Sequence, residues 1–98
     1  MQLSTVKEND KLTIIISGKV DTVTAPELER FITENISGIK ELVLDLAEVE
    51  YVSSAGLRAL LQAQKDMNKQ GKMKIIHVKD NVKEIFDMIG FSRIFTIE

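Results

Sequence analysis

The sequence has no cysteine and no tryptophan, one proline (Pro26), one histidine (His77), one tyrosine and four phenylalanines. Without cysteine, disulfides, thiol nucleophiles and sulfur-ligated metals are excluded. A single histidine rules out a His-rich metal site and any mechanism that needs a histidine pair. A strong charge of one sign is missing too. Thirteen basic residues against fifteen acidic ones give a net charge of -2, which argues against nucleic acid or an anionic membrane as the main partner. No apolar run approaches the roughly 20 residues of a membrane span. Met1 to Thr5 lead straight into Lys7, Glu8, Asn9 and Asp10, with no apolar signal core. The chain therefore reads as cytoplasmic, with no membrane insertion. What is left for chemistry is carboxylates, hydroxyls and lysines.

The 98 residues are 44% hydrophobic and 29% charged, an ordinary globular balance that allows one domain over residues 1–98. There is no repeat, linker or low-complexity tract. Residues 2–7 alternate weakly, residues 8–11 are a polar turn, and Leu12 to Ser17 are rich in β-branched side chains. A β-hairpin is expected, with Gly18 ending or kinking its second strand. Thr24 and Glu27 have capping-box spacing around Pro26, and Leu28, Phe31, Ile32 and Ile36 share one helical face up to Gly38. Residues 40–46 form a strand with a nearly continuous apolar centre, of the kind usually covered on both faces. Residues 47–53 read as a loop. A second helix is expected from Ser54 to about Gln70, with Leu57, Leu60, Leu61, Gln64 and Met67 on one face. A strand over 73–78 follows. A third helix is capped by Asn81, carries Val82, Ile85, Phe86 and Ile89 on its apolar face, and closes at Gly90. The last strand spans 93–97. The order ββαβαβαβ implies an α/β fold with a mixed, mostly parallel sheet of about five strands and its helices on one face.

In such a sheet, sites gather where strands end and helices begin. That edge carries Asp21 and Thr22, Asp45, and the run Tyr51-Val52-Ser53-Ser54-Ala55-Gly56-Leu57-Arg58. Two serines, an alanine and a glycine at a helix entrance let a backbone or another protein approach closely. The plain roles are an N-cap for one serine and tight packing for Gly56. A pair of serines lets one cap while the other faces outward. Arg58, one turn beyond Ser54, shares its face and is either a solvated arginine or a counter-charge. A serine hydrolase elbow needs glycine on both sides of the serine, and Val52 stands at the first position. Asp21 and Asp45 are the one candidate carboxylate pair for acid–base or Mg²⁺ chemistry, although Asp at strand ends commonly caps nearby N–H groups. There is no phosphate-binding glycine loop, and neither cofactor nor metal is expected.

Three segments resemble a known family. Ser17-Gly18-Lys19-Val20-Asp21 with Thr24-Ala25-Pro26-Glu27-Leu28, then Leu42-Val43-Leu44-Asp45-Leu46 with Val49, then Tyr51 to Arg58 are together similar to the STAS domain. That module is shared by anti-sigma factor antagonists and the cytoplasmic tails of sulphate transporters. The resemblance covers essentially the whole chain, and its length points to the antagonist branch. It implies a non-enzymatic partner switch. The antagonist binds an anti-sigma factor that is also a serine kinase and so releases the sigma factor. Phosphorylation of one serine breaks the complex, and a serine phosphatase restores it. The phosphorylated position maps onto Ser54, with Ser53 as second choice because Ser53 stands where many members carry Asp. Asp21 and Asp45 match carboxylates of the pattern and are expected to support the phosphosite. The partner-binding set is Asp21, Thr22, Thr24, Ser53, Ser54, Ala55, Gly56, Leu57 and Arg58. A STAS subunit of another complex, in stress signalling or lipid transport, is the alternative.

Overall fold

The computed structural model describes residues 1–98. The chain runs β1 (Gln2–Glu8), β2 (Lys11–Val20), α1 (Ala25–Asn35), β3 (Glu41–Val52), α2 (Ser54–Asn68), β4 (Lys72–Ile76), α3 (Asp80–Met88) and β5 (Thr96–Ile97), with a short 3-10 turn at Phe91–Arg93. The strands form one sheet in the order β1-β2-β3-β4-β5. β1 and β2 are antiparallel, and all later neighbours are parallel. The α/β class, the hairpin and the mostly parallel sheet are as expected.

Side-chain parity shows which face is covered. Leu12, Ile14 and Ile16 of β2, Leu42, Leu44 and Leu46 of β3, and Met73 and Ile75 of β4 all join one core. The same cluster contains Leu28 and Ile32 of α1, Leu57, Leu60 and Met67 of α2, and Val82 and Phe86 of α3. All three helices therefore pack on one face. Phe86 and Phe95 meet at 5.8 Å between ring centroids and close the core near β5.

Six local expectations are corrected. Residues 47–53 are not a loop, because β3 continues to Val52. Its register against β2 slips twice, between Ile15 and Ser17 and between Gly18 and Lys19. Each bulge inserts a residue and shifts the pleat. The buried positions beyond Leu44 are consequently Leu46, Val49 and Val52, a spacing of three that a period-two search reads as loop. Gly18 lies at the second slip and kinks β2 without ending it.

The Thr24–Glu27 box does not form either. Thr24 makes no side-chain cap bond to α1. Instead the Asp21 carboxylate accepts from the Val23 and Thr24 N–H groups, each at 3.0 Å, while Asp21 N–H donates to Thr24 Oγ1 at 2.9 Å. The reciprocal box sits one turn earlier. Asn81 is not the cap of α3, whose N-cap is Lys79. Asn81 Nδ2 donates to the Glu50 carbonyl at 2.9 Å and so ties α3 to the part of β3 that extends past β4. β4 stops at Ile76, because His77 turns into the left-handed region at φ 59°. Of residues 93–97 only Thr96 and Ile97 join the sheet; Arg93 ends the 3-10 turn, and Ile94 and Phe95 connect the two. On α3, Val82 and Phe86 are buried as expected, but Ile89 lies past the helix end and is half exposed.

Candidate functional site

The site lies where β2 and β3 end together. Lys19 pairs with Tyr51 and Val20 with Val52. The next residue, Ser53, donates its N–H to the Val20 carbonyl at 2.8 Å. This bond lays the start of α2 against the loop that follows β2, and so brings Asp21, Thr22 and Thr24 beside the serine pair.

The two serines have different jobs. Ser53 is extended (φ -84°, ψ 175°) and is the N-cap of α2. Its Oγ accepts from the Gly56 N–H at 3.2 Å, and its carbonyl accepts from Leu57 N–H at 2.8 Å. That bond engages the Ser53 hydroxyl with the backbone. Ser54 is the first residue of α2 and is exposed. The unpaired N–H groups at a helix start favour negative charge, and the first turn of α2 holds no acidic residue. Arg58, four residues on, is exposed and makes no ion pair.

Gly56 explains how close α2 lies. A Cβ there would stand 2.6 Å from the Val20 carbonyl oxygen and 2.9 Å from the Cγ1 atoms of both Val20 and Val52. Only glycine allows α2 to sit this low on the two strand ends. Gly56 and Leu57 are buried, so they support the surface from beneath and do not present side chains to a partner. Ala55 is half buried.

The neighbouring loop is held by its own hydrogen bonds. Thr24 Oγ1 donates to the Lys19 carbonyl at 2.9 Å and approaches Asp21 Oδ1 at 3.2 Å. Asp21 is held below the ordinary carboxylate pKa of 3.8. The Thr24 N–H contributes most, the Val23 N–H, the Thr24 hydroxyl and the Lys19 cation add to it, and partial desolvation opposes them. Asp21 stays ionised beside the serines. The loop also exposes Val23 at 84%, and Tyr51 is 47% exposed on the adjoining strand end. Neither is in the partner-binding set expected from the sequence. The one available signal was an apolar residue isolated between two threonines.

Asp45 is not brought to the serines. It pairs with Ile15 on one side and Ile76 on the other, seven residues before Val52, which is about 20 Å along the strand. Its carboxylate accepts from Ala47 N–H at 3.0 Å and meets His77 Nδ1 at 3.1 Å. Asp21 and Asp45 therefore form no carboxylate pair, and the one imidazole lies beside Asp45, away from Ser54. No group of three or more His, Asp or Glu side chains is placed to hold a metal. No helix is long and apolar enough to cross a membrane.

Comparison with known proteins agrees with this fold. The chain is 33% identical over 99 residues to BtrV of Bordetella bronchiseptica, classed by name among anti-sigma factor antagonists, covering 99% of this chain and 85% of that one. An anti-sigma factor antagonist from Mycobacterium paratuberculosis superposes with a TM-score of 0.88 at 24% identity, over 98% of this chain and 83% of that one. The anti-sigma factor antagonist SpoIIAA in its unphosphorylated form gives 0.84 at 12% identity over 99% and 88% of the two chains, and its phosphorylated form gives 0.77 at 11% identity over 99% and 91%. The STAS domain family matches residues 2–98, and the chain belongs to that family.

Proposed function

We propose that this protein is a cytoplasmic, non-enzymatic anti-sigma factor antagonist whose binding surface is switched by phosphorylation of Ser54. It binds an anti-sigma factor that acts as a serine kinase, releases the sigma factor, and is reset by a serine phosphatase. The observation that carries the reading is the division of labour in the serine pair. Ser53 is engaged as the cap, whereas Ser54 offers its hydroxyl at an exposed helix start with no acidic residue in the first turn. Around it, Asp21, Thr22, Thr24, Val23, Tyr51 and Arg58 supply a mixed polar and apolar rim.

A phosphate adds about -1.5 to -2 charges, taking the chain from -2 to about -4. At the start of α2 this charge is tolerated internally. Its effect falls on the complex. One added charge about 6 Å from a partner carboxylate costs roughly 3 kcal/mol at an effective dielectric near 20, on the order of a hundredfold in affinity. The test is phosphorylation by the cognate kinase with ATP, followed by mass spectrometry. One phosphate on Ser54, lost in Ser54→Ala, is expected. Phosphate found only at Ser53 or elsewhere would sink the assignment. Ser54→Asp is expected to weaken the kinase complex at least tenfold. Equal affinity for both forms would instead fit a STAS subunit that binds its partner regardless of modification.

A further inference from the structure

The two edges of the sheet are unlike. β5 offers two residues, whereas β1 offers seven, Gln2 to Glu8, with β2 as its only strand neighbour. The two-residue hairpin loop closes on the pair Glu8 and Lys11. Bonded pairs alternate along an antiparallel ladder. The pairs Glu8/Lys11, Val6/Thr13, Ser4/Ile15 and Gln2/Ser17 therefore bond inward, and the amide and carbonyl groups of Leu3, Thr5 and Lys7 point away from the sheet. Natural edges are protected by proline, bulges, shortness, edge lysines or inward charges. β1 has no proline and no register slip, and of these devices it carries only Lys7, next to last in the strand.

We propose that β1 is the interaction surface for a second copy of this chain, paired antiparallel about a two-fold axis at Thr5. Outward-facing residues must meet outward-facing residues, which leaves few registers. An axis at Thr5 sets Leu3 against Lys7 of the second copy and Thr5 against its own counterpart, and closes about six main-chain hydrogen bonds. An axis at Lys7 would set lysine against lysine and close fewer. In the Thr5 register no like charges stand opposite, since Lys7 faces Leu3 and Glu8 faces Gln2. The Thr–Thr pair is a favourable cross-strand neighbour. The aliphatic stem of Lys7 lies over Leu3, which already packs partly on the core. Val6, 54% exposed, gains Ser4 of the second copy as neighbour. The product is one continuous sheet through both copies. Ser54 follows β3, two strands in from this edge, and stays open in the dimer.

The experiment uses the full chain and its Thr5 variants in sedimentation velocity over a wide range of concentration. Thr5 is exposed and its main-chain groups face outward, so Thr5→Lys and Thr5→Glu leave the β1–β2 ladder intact, which circular dichroism checks. Wild type is expected to show concentration-dependent dimers and slowed exchange of the Leu3, Thr5 and Lys7 amides as concentration rises. Thr5→Lys and Thr5→Glu place like charges face to face on the axis, and each alone is expected to be monomeric. Mixed together they are expected to form a heterodimer at least tenfold tighter than either homodimer. A wild type that stays monomeric throughout overturns the proposal, even where β1 captures a strand of another protein. Dimers that persist equally in both variants overturn this register.

Discussion

Replacing Gly56 by alanine tests how the site is built. The new methyl group would stand 2.6 Å from the Val20 carbonyl oxygen and 2.9 Å from two valine methyls. The oxygen cannot retreat freely, because it accepts the Ser53 N–H at 2.8 Å. Relief must come from lifting α2, which stretches that bond and moves Ser53 and Ser54 with it. Overpacking of this kind costs typically 1–3 kcal/mol, and contact with backbone places it near the upper end. Exchanging glycine for alanine in a helix returns about 1 kcal/mol. The net expectation is destabilisation by about 2 kcal/mol, or roughly 8–16 °C in melting temperature for a domain of this size. Calorimetry measures the melting point, and amide chemical shifts of Ser53 and Ser54 report whether the helix start has moved. An unchanged or raised melting temperature would mean that helix propensity outweighs the contact, and the account of Gly56 as the spacer under the site would fail.

The serine pair gives a second contrast. Ser53→Ala removes the cap bond to Gly56 and is expected to cost about 1 kcal/mol, a drop of roughly 4–8 °C, while Ser54→Ala stays within about 0.5 kcal/mol of wild type; equal losses in thermal melts would contradict the division of roles. Gln64 is 7% exposed, and its Oε1 is buried without a partner while Nε2 donates to Asn68 at 2.8 Å. Gln64→Met is therefore expected to be neutral or stabilising by about 1 kcal/mol, since exposed Asn68 can return to water; a clear loss in urea titration would show that the amide is needed. Asp21 has a folded pKa below its ordinary 3.8, so its contribution is present above that value and fades as pH falls through the lowered folded one. The stability gap between wild type and Asp21→Asn should therefore be largest near neutral pH and close in strongly acidic buffer. A gap that widens on acidification would reverse the sign. Asn81→Ala is expected to loosen α3 from β3 by freeing the Glu50 carbonyl, read as faster amide exchange in the first turn of α3; unchanged exchange would make that bond dispensable.

Local pattern was enough wherever one rule governed a segment. β-branched alternation marked β2, apolar residues at helical spacing marked all three helices, and the run from Tyr51 to Arg58 stood out from composition alone. Two serines before an alanine and a glycine already allowed one to cap and the other to face out. Which one did so was settled by the extended backbone of Ser53 and its bond to Gly56. The boundaries that moved did so because partners distant in sequence supplied the missing bonds. The two bulges that carry β3 to Val52 exist only against β2, and Asn81 left its capping role to reach Glu50, 31 residues away. Asp45 looked like a site residue because it follows an apolar run. Only the register across three strands shows that the strand goes on past it and that its carboxylate serves Ala47 and His77. The sequence by itself determined the element types, the single domain and the chemically sparse, serine-centred edge, since these depend on side-chain type and short-range spacing. Tertiary structure alone decided where β3 ends, which glycine sets the height of α2, and that Asp45 lies far from the serines, since each depends on pairing between segments that no local pattern encodes.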